Sequence, residues 1–214
     1  MDNQNEIRQK YDSTIELQSK VNKFDKGSKA NNQNYLFLQK LNSYSIFFIG
    51  FMGVGKTSIS SYLSNLLKIE QLEIDEYIEK NENMTVSEIF NKLGESYFRD
   101  CETKVLEELQ EKGNKIVSCG GGIILRDENI KLMKKQGKVI LLTASPETIY
   151  ERIKHSDDRP ILNNNMNLQF ILNLIEERKH KYLQVADLII DTNDKTIDMV
   201  CKEIIKKVST LDNL

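Results

Sequence analysis

The octapeptide from Gly50 to Thr57 constrains this chain more than any other stretch. It reads Gly-Phe-Met-Gly-Val-Gly-Lys-Thr and fits the phosphate-loop pattern G-x-x-x-x-G-K-[ST]. Its flanks restrict the fold further. Before it lies Ile46-Phe47-Phe48-Ile49, a β-branched and aromatic run suited to a buried strand. After it, Ile59, Leu63, Leu66 and Leu67 recur at helical spacing. An ordinary glycine turn can carry the same letters, but strand, glycine loop and helix in that order make an anion cradle. Glycines let backbone N–H groups along Gly53, Val54 and Gly55 turn inward around phosphate oxygens. The helix start at Lys56, Thr57 and Ser58 adds unpaired N–H groups and a partial positive charge. Lys56 is expected to reach the β- and γ-phosphates of a nucleotide, and the Thr57 hydroxyl to sit on Mg²⁺.

Downstream, short apolar runs alternate with helical patterns. Gln71–Ile74 reads as a second strand ending at Asp75, followed by a helix with Tyr77 and Ile78 inward. Thr85-Val86-Ser87-Glu88 is a capping box that opens a helix through Ile89, Phe90 and Leu93, and Gly94 ends it. A further helix runs from Glu95 through Phe98, Val105, Leu106 and Leu109. Lys115–Ser118 is a strand that delivers Gly120-Gly121-Gly122. Arg126–Gln136 reads as helix and Lys138–Thr143 as strand. Ser145-Pro146-Glu147 opens the next helix with Ser as N-cap and Pro at its first position. Residues 155–165 are polar and irregular around Arg159-Pro160 and read as a mobile lid. Leu168–Leu183 is helical, Asp187–Asp191 an edge strand and Thr196–Val208 a closing helix. The expected fold is α/β: a three-layer α/β/α arrangement around a five-stranded parallel sheet. Ligands of such sheets bind beyond the carboxyl ends of the strands. The phosphate loop, Asp75 and the triple glycine each follow a strand, so all three are expected to face one crevice.

Residues 1–44 differ from the domain expected over 45–214. They are rich in Asn, Gln, Lys and Ser, with a helical pattern over 4–23, a polar linker over 26–34, and Leu36, Leu38 and Leu41 available to dock. Either a partner-binding arm or a poorly ordered extension fits them. A net charge of −2 over 214 residues gives no electrostatic reason for a nucleic-acid or membrane partner. No apolar run is long enough for a bilayer. The three cysteines form no C-x-x-C pair, so a reducing compartment, the cytoplasm, is expected. The expected form is a monomer.

The order of motifs resembles the shikimate kinase family, which is of the P-loop kinase type with a mobile lid and a helical substrate-binding insert. The resemblance rests on the phosphate loop, Ile-Asp-x-x-Ile-Glu from Ile74, and Ile-Phe-x-x-x-Gly-Glu-x-x-Phe-Arg-x-x-Glu from Ile89 to Glu102. It continues through Ser-Cys-Gly-Gly-Gly at 118–122, Arg-Pro-Ile-Leu at 159–162, Arg178 with Tyr182, Val-Ala-Asp and Asp-Thr-Asn. It implies transfer of the ATP γ-phosphate to the 3-hydroxyl of shikimate, a carboxylate bearing ring hydroxyls. Arg99 and Arg178 would clamp the carboxylate bidentately; a lone arginine at either place would more simply be a surface residue. Asp75 would accept hydrogen bonds from the substrate and orient or deprotonate the attacking hydroxyl, or cap its helix. Gly120, Gly121 and Gly122 would bring backbone N–H groups to the ring, Gly121 most directly. Arg159 would close over the phosphates with catalytic Lys56. Arg152 would pack on adenine or be a solvated helix residue.

One departure affects the metal. The family has Asp-x-Asp at the end of the second strand, and its first Asp helps hold Mg²⁺; here that position is Glu73, one methylene longer. Ser118 is a supporting candidate through water. Phe90 and Phe98 fit either a pocket wall or core. His155 and His180 are expected at the surface, and Cys119 as a small buried hydrophobe. Two other readings remain: another small carbohydrate kinase of this fold, such as a gluconate kinase, and a nucleotide-binding module without activity.

Overall fold

The computed structural model describes Phe37 and residues 44–110, 114–154 and 167–211. The expected N-terminal helix, the linker, the docking leucines, the lid with Arg159, and His155 lie outside the described residues. The elements are β1 (Ser45–Ile49), α1 (Lys56–Leu67), β2 (Gln71–Glu73), α2 (Ile74–Glu82) and α3 (Val86–Leu109). They continue with β3 (Ile116–Ser118), a 3₁₀ turn (Ile123–Leu125), α4 (Asp127–Gln136), β4 (Gly137–Thr143), α5 (Pro146–Ile153), α6 (Leu168–Val185), β5 (Leu188–Asp191) and α7 (Ile197–Thr210).

The five strands form one sheet in the order β2-β3-β1-β4-β5, and every pair is parallel. Strand alternation divides the core. On β1, Ile46 and Phe48 face a cluster with Ile59 and Leu63 of α1 and with Ile204 and Val208 of α7. Phe47 and Ile49 face the opposite cluster with Ile74, Ile89, Leu106, Met133 and Tyr182. Both clusters are needed because a parallel strand flanked by helices has two apolar faces to bury. Phe37 is wholly buried in the first cluster.

Local chemistry sets the element ends. Thr85 and Glu88 form the reciprocal capping box, with Glu88 N–H on Thr85 Oγ1 at 3.2 Å and Thr85 N–H on Glu88 Oε2 at 2.9 Å. Ser145 Oγ accepts from Thr148 N–H at 3.1 Å, and Pro146 follows at the first helical position. Gly94 (φ 86°, ψ 164°) leaves the helical region, so the two expected helices meet at a kink inside α3 with no loop between them. The 3₁₀ turn after the triple glycine has no apolar periodicity to announce it. The second strand stops one residue early, at Glu73, and Asp75 lies in the first turn of α2. The residue at the cap is Glu73, with no side-chain cap bond, so Asp75 does not serve as an N-cap.

Candidate functional site

Strand order reverses direction around β1, whose neighbours β3 and β4 lead to opposite edges of the sheet. A crevice opens outside the carboxyl ends at such a point. The phosphate loop fills it. Gly55 is the N-cap of α1 in the left-handed region (φ 98°), where a side chain would be strained. Lys56 Nζ donates to the carbonyls of Gly50 at 2.9 Å and Phe51 at 3.0 Å, folding back across the loop it belongs to.

A cavity of about 540 Å³ begins at this loop. Lys56, Thr57, Glu73 and Asp75 line it together with Arg99, Gly120–Gly122 and Arg178. Five elements (α1, β2, α2, α3 and α6) and the glycine turn after β3 therefore deliver the expected acceptor, phosphate and metal residues to one hollow. Phe90 and Phe98 also line it, and both touch the core, so each of their two expected roles describes part of what they do.

Arg99 is held on three sides. Its Nη1 donates to Glu102 Oε2 at 2.8 Å, while Nη2 and Nε donate to Glu95 Oε1 at 2.7 and 3.2 Å. The Phe98 and Phe90 rings lie 5.4 and 5.9 Å from the guanidinium carbon. Gly122 sits so close that a Cβ there would fall 2.2 Å from Arg99 Nη2. Burial works against the Arg99 charge, and Glu102 and Glu95 outweigh it. Glu102 is completely buried, and burial pushes its carboxyl up to about 7 against the pull of Arg99. Its Oε1 makes no hydrogen bond among the described residues.

Arg178, on α6, is buried too, and its Nε makes no hydrogen bond among the described residues. A buried donor of that kind is normally satisfied by a ligand or water. Near it, Tyr182 Oη donates to the Gly121 carbonyl at 2.5 Å. The three glycines differ in what they face. A Cβ on Gly120 would meet Asp75 Oδ1 at 2.7 Å and Glu102 Oε1 at 2.9 Å, whereas one on Gly121 would meet nothing nearer than 3.6 Å.

Oxygen atoms gather where the metal is expected. Thr57 Oγ1 donates to Glu73 Oε2 at 2.7 Å and lies 3.5 Å from the wholly buried Ser118 Oγ. Burial raises the Glu73 carboxyl above its usual range, while hydrogen bonds from Ser118 and Thr57 oppose the shift. A carboxylate and two hydroxyls are hard ligands that suit Mg²⁺. Among the described residues no cluster of three or more His, Cys, Asp or Glu side chains could hold a metal.

A second cavity, of about 440 Å³, adjoins the first through Lys56 and Thr57. Gly53, Val54, Gly55 and Ser58 line it on the loop side, and Arg152, Thr192, Lys195 and Ile197 on the other. Arg152 is not a freely solvated helix residue. Its Nη1 donates to the Gly53 carbonyl and to Thr192 Oγ1, both at 3.2 Å, and its Nη2 to the Thr192 carbonyl at 3.1 Å. Among the single residues, His180 is exposed and Cys119 is buried, where desolvation raises its thiol well above the usual range.

Sequence reasoning assigned no role to Glu95, Glu102, Tyr182, Thr192 or Lys195. The i, i+3 and i, i+4 spacings of Glu102 and Glu95 from Arg99 could have revealed the first two. Nothing local links Tyr182 to Gly121, 61 residues away.

Comparison with known proteins agrees with this geometry. The family model described as shikimate kinase matches residues 52–209. A shikimate kinase of Thermodesulfovibrio yellowstonii is 40% identical over 79% of this chain and 97% of its own length. One from Dehalococcoides mccartyi is 38% identical over 79% and 96%. The solved shikimate kinase of Acinetobacter baumannii in complex with shikimate superposes with a TM-score of 0.77 at 30% identity, covering 83% of this chain and 99% of that one. With the matched span running from the phosphate loop through α6 and into α7, the chain belongs to the shikimate kinase family.

Proposed function

We propose that ATP and shikimate meet in the 540 Å³ cavity, where the γ-phosphate passes to the 3-hydroxyl of shikimate to give shikimate 3-phosphate and ADP. This is a step of aromatic amino acid biosynthesis. The observation that carries the reading is a single hollow lined both by the phosphate-loop Lys56 and Thr57 and by two buried guanidinium groups, Arg99 and Arg178. A carboxylate on a compact polar ring fits such a pair, because guanidinium pairs bidentately with carboxylate. A sugar acid is the competing acceptor chemistry.

Catalysis is then positioning and charge stabilisation, with little covalent work for the protein. Gly53, Val54, Gly55 and Ser58 hold the phosphates through backbone N–H groups, and Lys56 moves from the loop carbonyls to the transferring phosphate. Asp75 takes the proton of the attacking hydroxyl or orients it. Gly120, Gly121 and Gly122 support the ring from below with main-chain atoms. Arg159 closes from the lid. Arg152, fixed edge-on by Gly53 and Thr192, leaves its flat face for adenine. Thr57 and Glu73 would hold Mg²⁺, with Ser118 behind them. Bound there, it would offset phosphate charge.

Residues 45–214 form the kinase domain on this reading, and 1–44 an extension beyond the length of its relatives. The support is that 79% of this chain covers 97% of the Thermodesulfovibrio enzyme. A cytoplasmic monomer acting on small molecules, without nucleic acid or membrane, completes the proposal. The net charge of −2 and the free Cys101, Cys119 and Cys201 support it. The deciding experiment is a coupled ADP-release assay with shikimate, gluconate and other sugar acids as acceptors. Shikimate should be turned over well above the rest. Preference for gluconate, or no acceptor-dependent ADP at all, would refute the assignment.

A further inference from the structure

Tyr182 has no role in the mechanism above, yet it joins three parts of the cavity. It lies one helical turn after Arg178 on α6 and is almost wholly buried. Its hydroxyl donates to the Gly121 carbonyl at 2.5 Å. Burial pushes its phenol up to about 12, and the positive charge of Arg178 opposes that shift. Gly121 in turn abuts the phosphate loop, since a Cβ there would stand 3.6 Å from the Gly50 carbonyl and 3.7 Å from Met52 N. One phenol, a helical turn from the acceptor arginine, therefore contacts the glycine turn that touches the phosphate loop.

The geometry has a directional consequence. In a trans peptide the N–H points away from the C=O. With the Gly121 carbonyl tied to α6, the Gly122 N–H of the same peptide unit points away from α6. Neither the Gly121 nor the Gly122 N–H donates a hydrogen bond among the described residues. An unlatched glycine turn could rotate this peptide at little backbone cost, because a glycine has no side chain to restrict its dihedrals.

We propose that Tyr182 is a positioning residue for the acceptor: its hydroxyl latches the Gly121–Gly122 peptide to the helical turn that carries Arg178, so that N–H donor and carboxylate clamp are set before shikimate arrives. The inference rests on the acceptor site proposed above. It assigns no contact between Tyr182 and substrate.

The test compares wild type, Tyr182→Phe and Val208→Ala. Val208 lies in the opposite core cluster and reports loss of stability alone. Tyr182→Phe keeps the ring and removes the latch. The shikimate KM should rise about 10-fold, the loss expected for one buried hydrogen bond, while the equilibrium Kd for ADP stays within about twofold. Val208→Ala should lower Tm and leave both constants in place. An unchanged shikimate KM in Tyr182→Phe, an equal loss of ADP affinity, or the same KM rise in Val208→Ala would overturn the proposal. A second readout does not depend on the acceptor. With ¹⁵N-glycine labelling, the Gly122 amide resonance should shift or broaden in Tyr182→Phe and the Gly55 resonance should not. If wild type fails to phosphorylate shikimate, the functional reading fails. The latch is then judged on Gly122 alone, and an unmoved Gly122 resonance sinks it too.

Discussion

Replacing Gly122 by alanine tests the acceptor site through one added methyl group. The backbone there (φ −102°) accepts any residue, so the variant carries no conformational penalty of its own. The methyl group, however, would stand 2.2 Å from Arg99 Nη2 and 2.5 Å from Cζ. Ordinary contact requires the guanidinium to retreat by roughly 1 Å. It has little freedom to do so. Glu102 and Glu95 hold it through three hydrogen bonds, and Phe90 and Phe98 flank it. Retreat breaks or stretches at least one charge-assisted bond, which is worth about 1.5–3 kcal/mol. Displacement of a substrate-clamping group by that distance can lower kcat/KM by about 100-fold. Steady-state kinetics with each substrate varied in turn should find the loss in shikimate kcat/KM, with the KM for ATP changed less than about threefold. Gly121→Ala is the contrast, because its methyl group would meet nothing within 3.6 Å and should leave the empty protein's Tm unmoved. A shikimate kcat/KM within twofold of wild type in Gly122→Ala, or an equal loss on the ATP side, would refute the claim that the glycine exists to admit Arg99.

Three further outcomes are expected. Asp75→Asn should lower kcat by about 100-fold or more, as for loss of a general base, with ADP affinity unchanged; an unaltered kcat would reduce Asp75 to a first-turn acid on α2. Glu102→Gln should change how stability depends on pH. The folded carboxyl, at about 7, lies above its ordinary 4.5, so its contribution is complete below pH 4.5 and is lost as pH rises through 7. Wild type should therefore lose up to about 3 kcal/mol relative to the variant over that window; parallel unfolding curves at pH 5 and pH 8 would contradict it. Glu73→Asp should alter Mg²⁺ affinity, measured by titration in the presence of ADP, without altering the KM for shikimate; unchanged Mg²⁺ binding would remove Glu73 from the metal site.

The parts of the site that were legible in the chain are those built from consecutive residues. The phosphate loop is one, because anion binding by main-chain N–H groups needs a glycine-rich turn and a helix start in immediate succession. The Thr85–Glu88 box and the Ser145-Pro146 start were legible for the same reason: capping is a local exchange of hydrogen bonds. Boundaries moved where tertiary contacts decide them. Asp75 belongs to α2 because that helix begins directly after β2, and the kink at Gly94 joins two helices that the glycine was expected to separate.

Residue identity alone determined that this chain has an anion cradle between a buried strand and a helix, a parallel sheet, and arginines and glycines of the kind its family uses. Local hydrogen bonding and apolar periodicity suffice for that much. Folding decided the distances. Glu102 meets Arg99 along one helix, but Gly122 is brought against that arginine only by the packing of β3 beside β1 and of α3 across the sheet face. Tyr182 reaches Gly121 only because α6 lies over the 3₁₀ turn. Contacts between segments this far apart depend on how several helices pack on a common sheet, and no spacing within one segment encodes them.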